Sequence, residues 1–97
     1  MDDFNIANLN DLIHSRLRLG IMAYLSTAGS ADFNVLKKQT QSTDGNLSIS
    51  LKKLEEAKYI KIEKSFIGKK PNTKITLTQI GNDAFIEYLD ALKKLLP

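Results

Sequence analysis

One stretch organises the whole chain: Thr43-Asp44-Gly45-Asn46-Leu47-Ser48-Ile49-Ser50-Leu51-Lys52-Lys53-Leu54-Glu55-Glu56-Ala57-Lys58. Leu47, Leu51 and Leu54 stand at i, i+4 and i+7, which places them on one face of a helix of about four turns. Thr43 precedes this helix as an N-cap, because its hydroxyl can accept a hydrogen bond from a backbone N–H of the first turn. The stretch therefore predicts a helix that buries its leucine face.

The face opposite the leucines is unusual for a surface that meets only water. At about 100° per residue it carries Gly45, Ile49, Lys52 and Glu56, with Asn46 and Ser48 on its flanks. An exposed isoleucine among small polar residues and a lysine indicates a face that contacts another molecule.

A second, shorter helix is predicted just upstream. Asp32 can cap a helix over about residues 33–40, in which Lys37 and Lys38 face outward. A tight turn then leads into the central helix. Two helices joined by so short a turn, the second with a polar outer face, predict a helix-turn-helix over about residues 32–58.

Downstream of the central helix the hydrophobic period changes from about 3.6 to about 2, which is typical of strands. Residues 59–64 alternate as one strand, and residues 73–77 form a second, β-branched one. The loop between them contains glycine and proline, which favour a turn, and two adjacent lysines, Lys69 and Lys70. The sequence therefore predicts a wing, a two-stranded hairpin with a basic tip, over about residues 59–77.

Long helices are predicted on both sides of this unit. Residues 4–26 carry leucine and isoleucine at three- and four-residue spacings, with a break near Asn8–Asn10. Thr78 is a good N-cap for a last helix over about residues 79–96. The expected fold is α+β, mainly helical: one domain over residues 1–97, a winged helix-turn-helix with a two-stranded basic wing and long N- and C-terminal helices.

The apolar stripe of the last helix is broader than a domain of this size is expected to cover with its own short helices. We expect the surplus, with part of the first helix, to form a homodimer interface. The candidate interface residues are Leu9, Phe85, Tyr88, Leu89, Leu92, Leu95 and Leu96. The alternative is that the last helix folds back onto the first helix as core.

Positive charge is concentrated in the middle of the chain. Residues 1–34 carry a net charge of −2, residues 35–74 a net charge of +6 and residues 75–97 a net charge of −1, which sum to the formal +3. A basic segment flanked by acidic ones is typical of binding to a polyanion. The alternative is that the lysines only keep the surface hydrated.

Composition argues against several functions. The sequence has no Cys and a single histidine, His14, which excludes disulfides, thiolate zinc sites and cysteine nucleophiles and leaves no expected metal site. No apolar run reaches the roughly 18 residues of a membrane span, and the acidic N-terminus lacks the basic region of a signal peptide. With no glycine-rich phosphate loop and no convincing carboxylate pair, we expect neither an enzyme nor a cofactor, and we expect a soluble, cytoplasmic protein.

Four matching stretches carry a family resemblance: Ile13–Met22, Asp44–Ser48 with Leu51–Glu55, Tyr59-Ile60, and Leu77-Thr78 with Gly81. Over about residues 12–96 the chain resembles the small winged-helix transcriptional regulators related to the MarR and ArsR groups. The resemblance implies binding of double-stranded DNA as a dimer, with helix 44–57 in the major groove and the wing, residues 66–74, at the minor groove or the phosphates. Lys58 stands where the family commonly has Gly, and we expect a left-handed backbone there at modest cost.

Candidate DNA contacts follow from the division of labour in which phosphate contacts position the protein and base contacts specify the sequence. Asn46 can pair with adenine, Ser48 can serve several bases, and Ile49 can pack on a thymine methyl group. Contacts to phosphate or the minor groove are expected from Lys37, Lys38, Lys52, Lys53, Lys69, Lys70 and Lys74, with Asn72 as a hydrogen-bonding neighbour; Lys52 can also reach guanine. The alternative function is a winged-helix protein–protein interaction module without specific DNA binding, against which the central lysines argue.

Overall fold

The computed structural model describes residues 4–97, so the acidic residues 1–3, part of the argument against a signal peptide, lie outside it. In chain order its elements are a 3-10 helix (Ile6–Asn8), α1 (Arg16–Ala28), β1 (Ser30–Asp32), α2 (Phe33–Thr40), α3 (Asp44–Glu56), β2 (Ile60–Ile67), β3 (Lys70–Leu77) and α4 (Gln79–Leu95). The strands form an antiparallel sheet in the order β1-β3-β2. This α+β arrangement confirms the predicted winged helix-turn-helix.

The helix-turn-helix forms where local chemistry predicts it. The Thr43 hydroxyl accepts a hydrogen bond from the Asn46 N–H at 3.2 Å and caps α3. Asp32 takes the N-cap position of α2 with extended backbone, but its side chain makes no capping hydrogen bond. Gln41, in the left-handed conformation at φ 53°, ends α2 and turns the chain toward α3.

The wing follows α3 through a second left-handed residue. Lys58 has φ 64°, as expected at this position, and the Tyr59 N–H donates to the Leu54 carbonyl at 3.0 Å. Eight consecutive residue pairs then join β2 to β3, from Ile60 opposite Leu77 to Ile67 opposite Lys70. The hairpin is therefore regular over its whole length and projects a two-residue turn at its tip.

The N-terminal segment differs from the prediction of one helix over residues 4–26. The α-helix begins only at Arg16, after the 3-10 helix and an irregular stretch. The Asn10 carboxamide oxygen accepts from the N–H groups of Leu12 and Ile13, at 2.9 and 3.1 Å, so this side chain competes with the helical backbone. The predicted break near Asn8–Asn10 is real, but it extends to residue 15.

One apolar core joins the N-terminal segment, the helices and the sheet. Ile21, Met22 and Leu25 of α1 are buried against the leucine face of α3 and against Ile75 of β3. Full burial of each such side chain contributes about 1.5–3 kcal/mol to the stability of the fold. Within residues 4–97, no helix is long and apolar enough to cross a membrane.

The core also corrects part of the predicted dimer interface. Leu9, Phe85 and Tyr88 are 8%, 6% and 2% exposed within the single chain, so they leave almost no surface for a partner. The Tyr88 hydroxyl lies 2.7 Å from Nδ1 of His14, which satisfies its polar end inside the fold. For these three residues the alternative, a last helix that folds back as core, is the correct one.

Candidate nucleic-acid interface

The outer face of α3 is fully presented to solvent. Leu47, Leu51 and Leu54 are at most 2% exposed, whereas Ile49 is 58% exposed. The other predicted contact residues of this helix, Asn46, Ser48, Lys52 and Lys53, are also exposed. Ser50 is 6% exposed and points to the core, so it is unavailable for base contact. The structure thus brings the predicted recognition residues of α3 together on one face.

An ion pair lies at the N-terminal end of this face of α3. Nζ of Lys37 in α2 lies 2.9 Å from Oδ1 of Asp44, the first residue of α3. The pair holds a lysine beside the helix N-terminus, where free N–H groups and the helix dipole already favour an anion. Lys37 is therefore partly neutralised by Asp44, while its neighbour Lys38 stays exposed without an ion-pair partner among residues 4–97.

The strand register divides the wing into two faces. The inner face, which continues from the core, carries the directly opposed pairs Ile62–Ile75, Lys64–Thr73 and Phe66–Pro71. The outer face carries Glu63–Lys74, Ser65–Asn72 and Ile67–Lys70. Three of the predicted wing contacts, Lys70, Asn72 and Lys74, therefore share the outer face, and Lys69 lies in the turn.

The two faces differ in net charge. On the outer face Glu63 stands opposite Lys74 and lies 3.9 Å from Nζ of Lys61, so part of the positive charge there is offset. No acidic residue occurs between Lys64 and Leu77. The inner face therefore carries the unopposed charge of Lys64 and the turn carries that of Lys69, while the outer face also keeps a net positive charge from Lys61, Lys70 and Lys74 against Glu63.

A cleft connects the inner face of the wing to α3. It encloses about 300 Å³ and is lined by Phe33, Ser48, Leu51, Ile62, Lys64 and Thr73. The Lys64 side chain thus borders the same cleft as Ser48, although it was not predicted as a contact. Strand parity could have identified it, since Lys64 stands two and four residues after Ile62 and Ile60, which pack inward.

The tip of the wing is apolar as well as basic. Phe66 and Ile67 are 74% and 66% exposed, next to Lys69 and Lys70. Gly68 provides the positive φ of 65° that the turn requires. The sequence pattern predicted only a basic loop here and did not identify Phe66 as an exposed aromatic side chain.

An exposed helix after a short turn, followed by a basic hairpin on the same side, defines the winged-helix class of DNA-binding proteins. The chain belongs to the family described as winged helix DNA-binding domain, which matches residues 17–96. It is similar to the uncharacterized protein MJ0432 of Methanocaldococcus jannaschii, with 38% identity over 78 residues, 80% of this chain and 85% of that protein.

Solved structures give the same class. The transcriptional regulator homologue protein of Pyrococcus horikoshii OT3 superposes with a TM-score of 0.85 and 28% identity, over 96% of this chain and 92% of that one. NadR in complex with 4-hydroxyphenylacetate has a TM-score of 0.74 at 22% identity, over 91% of this chain and 62% of its own. Overoxidized AbfR bound to DNA has a TM-score of 0.72 at 23% identity, over 81% of this chain and 57% of its own. These last two show the shared fold, and the resemblance to winged-helix regulators is confirmed.

Proposed function

We propose that this protein is a sequence-specific regulator of transcription that binds double-stranded DNA as a homodimer. In the proposed complex α3 lies in the major groove, where Asn46, Ser48 and Ile49 read base edges. The wing lies at the adjacent minor groove. The observation that carries the proposal is that two exposed basic elements meet at one cleft: α3, with Lys52 and Lys53, and the wing, whose Lys64 borders the same cleft as Ser48 of α3.

Electrostatics set the size of the expected effect. Among the lysines of α2, α3 and the wing, those without an ion-pair partner among residues 4–97 are Lys38, Lys52, Lys53, Lys64, Lys69, Lys70 and Lys74. If each protomer neutralises about three to five phosphates, a dimer meets about six to ten, and affinity falls by roughly 10³–10⁵ between about 50 and 200 mM salt. Strong salt dependence is therefore a direct consequence of the proposal.

The two protomers of the proposed dimer pack against each other through α4. Ile86 and Leu89 of this helix are 56% and 44% exposed, and Leu96, which follows the helix, is 61% exposed. A two-fold dimer would place two recognition helices one turn of DNA apart, about 34–36 Å. A regulator that binds DNA must share a compartment with it, and we accordingly propose that the protein is cytoplasmic.

The first experiment is a duplex-binding titration at several salt concentrations, on random-sequence DNA and on DNA upstream of the protein's own gene. Lys69→Ala with Lys70→Ala should weaken binding to both DNAs alike and lower the salt slope by up to about four units per dimer. Lys93→Ala with Lys94→Ala is the charge control, because it removes an adjacent, exposed lysine pair from α4. Since Lys93 lies one turn after Leu89, sedimentation must first show that this variant keeps the mass of the parent protein.

The same titration tests whether α3 recognises the base sequence of the DNA. Asn46→Ala should change base preference, by about 1–3 kcal/mol at the affected position, without lowering the salt slope. Flat affinity across the salt range, or equal effects of the two lysine pairs, would contradict the electrostatic surface. Salt-sensitive binding with no preference among sequences would contradict specific regulation.

A further inference from the structure

The tip of the wing combines features that a merely hydrated hairpin does not need. Phe66 is 74% exposed, the largest exposed fraction of any large apolar side chain among residues 4–97. Its cross-strand partner is Pro71. An aromatic ring and a proline ring thus lie side by side at the end of a projecting hairpin, where they contribute nothing to the core.

Strand parity gives the direction of this pair. Ile60 and Ile62 pack inward, and Lys64 borders the cleft shared with Ser48 of α3. Phe66 follows on the same face, about 7 Å further toward the tip at the usual rise per residue. The Phe66–Pro71 pair therefore continues the surface that begins at the recognition helix, beyond the reach of any helix that could cover it.

The charge around the pair selects its partner. Lys64 lies two residues before Phe66 on the same face, Lys69 lies in the turn and Lys70 begins β3 on the outer face; no acidic residue occurs between Lys64 and Leu77. A duplex groove offers the complementary surface, with phosphates along its rims and deoxyribose and base edges between them. Phenylalanine and proline are among the side chains that wedge between base steps from the minor groove.

We infer that Phe66, backed by Pro71, is an apolar wedge that enters the minor groove and partly opens one base step. This inference rests on the proposed function and adds a specificity-determining contact to it. Wedging is easiest at flexible pyrimidine–purine steps such as TA. The wing then contributes sequence preference through deformability of the DNA, in addition to phosphate contacts.

Fluorescence tests where the ring goes. The chain has no tryptophan, so Phe66→Trp introduces one reporter on the inner face, and Ile67→Trp places the matched reporter on the outer face one residue away. The probe is a mixed-sequence duplex of about 20 base pairs with a central TA step. Stacking on a base should quench the Phe66→Trp emission strongly and the Ile67→Trp emission little. Equal responses, or quenching confined to Ile67→Trp, would overturn the assignment.

Bending tests the wedge. On the same duplex with donor and acceptor dyes at its ends, Phe66→Ala should bind about tenfold more weakly and bend the DNA less, whereas Phe66→Leu should keep most of both. Replacing the central TA step with a stiff A-tract should narrow the difference between parent and Phe66→Ala. Far-ultraviolet circular dichroism should show both variants folded, since residue 66 packs against no helix.

The outcomes separate the two proposals. If Phe66→Ala binds and bends as the parent does while binding stays salt-sensitive, the wedge is wrong and the regulator stands. If the parent fails to bind any duplex at low salt, both are wrong. If the Phe66→Trp emission changes with phosphatidylserine vesicles and not with duplex, the wing tip contacts a membrane surface and the wedge is again wrong.

Discussion

At the scale of single residues, the junction between the wing and the last helix leaves least freedom for substitution. The Thr78 hydroxyl accepts from the Gly81 N–H at 3.0 Å and donates to the Lys58 carbonyl at 2.6 Å. A Cβ at Gly81 would lie 2.1 Å from the Tyr59 carbonyl oxygen. The first turn of α4 therefore touches the backbone that enters β2, and only glycine permits the contact.

Two glycine-to-alanine substitutions are expected to change the free energy of unfolding in opposite directions. Gly81→Ala should lower the free energy of unfolding by about 2 kcal/mol or more, because backbone must move to admit the methyl group. Gly20→Ala should raise it by about 0.5–1 kcal/mol, because Gly20 lies inside α1 and its Cβ would meet Thr40 Cγ2 at an ordinary 3.6 Å. Urea denaturation measures both, and a similar effect of the two changes would contradict the close approach at Gly81.

At the scale of elements, the ion pair between α2 and α3 limits the positive charge at the start of the recognition helix. The Lys37 and Asp44 side chains are 43% and 72% exposed, so the pair contributes at most about 1 kcal/mol to stability. In the proposed complex its larger effect is on the electric field that an approaching phosphate meets, since Asp44 would repel the phosphate and offsets the charge of Lys37.

Neutralising this aspartate should strengthen DNA binding. Asp44→Asn should raise affinity for duplexes of any sequence and steepen the salt slope by up to about one unit per protomer, because Lys37 becomes free to pair with phosphate. The measurement is the same titration on random-sequence DNA.

Asp90→Asn is the matched control for this charge change. It also removes an ion-paired aspartate, 3.4 Å from Nζ of Lys94, but from α4. Equal gains in the two variants would indicate an effect of net charge alone. Weaker binding by Asp44→Asn would mean that the favourable interaction of the Asp44 carboxylate with the N-terminus of α3 matters more than its repulsion of phosphate.

At the scale of the whole molecule, the remaining question is what covers α4. The apolar side chains left outside the core include Ile86 and Leu89 on α4, Leu96 just after it, and Phe4 and Ile6 near the N-terminus. The 3-10 helix of residues 6–8 contacts α4, so apolar side chains are exposed on two elements that touch each other. An apolar surface of this kind suits a two-fold partner.

The proposed homodimer predicts that a charge introduced on α4 lowers the mass of the sedimenting species. Leu89→Glu should shift the sedimenting species from twice the mass of the chain to the mass of one chain, and it should weaken duplex binding because two half-sites no longer act together. Val35→Glu, which replaces another exposed apolar residue on α2, should leave the mass unchanged. A parent protein that sediments as a monomer at micromolar concentration would contradict the dimer.

Local patterns were enough to predict much of this chain. The leucine period of α3, the caps Thr43 and Thr78, and the alternation that follows Lys58 each act within a few residues, so they predict elements regardless of distant contacts. Exposure of Asn46 and Ile49 follows from the same period, because burial of one helix face leaves the other outside.

Tertiary structure alone decided which surfaces are covered. An apolar stripe indicates that a helix packs against something, but not whether that is another part of the same chain or a second copy. The folded chain places Leu9, Phe85 and Tyr88 in its own core. Likewise, a basic hairpin does not reveal which face meets the recognition helix. That depends on the register of β2 with β3 and on how the sheet packs on α3. Strand parity places Lys64 on the side of Ile60 and Ile62, but only the packed sheet shows that this side borders Ser48 of α3 and that Phe66 continues it.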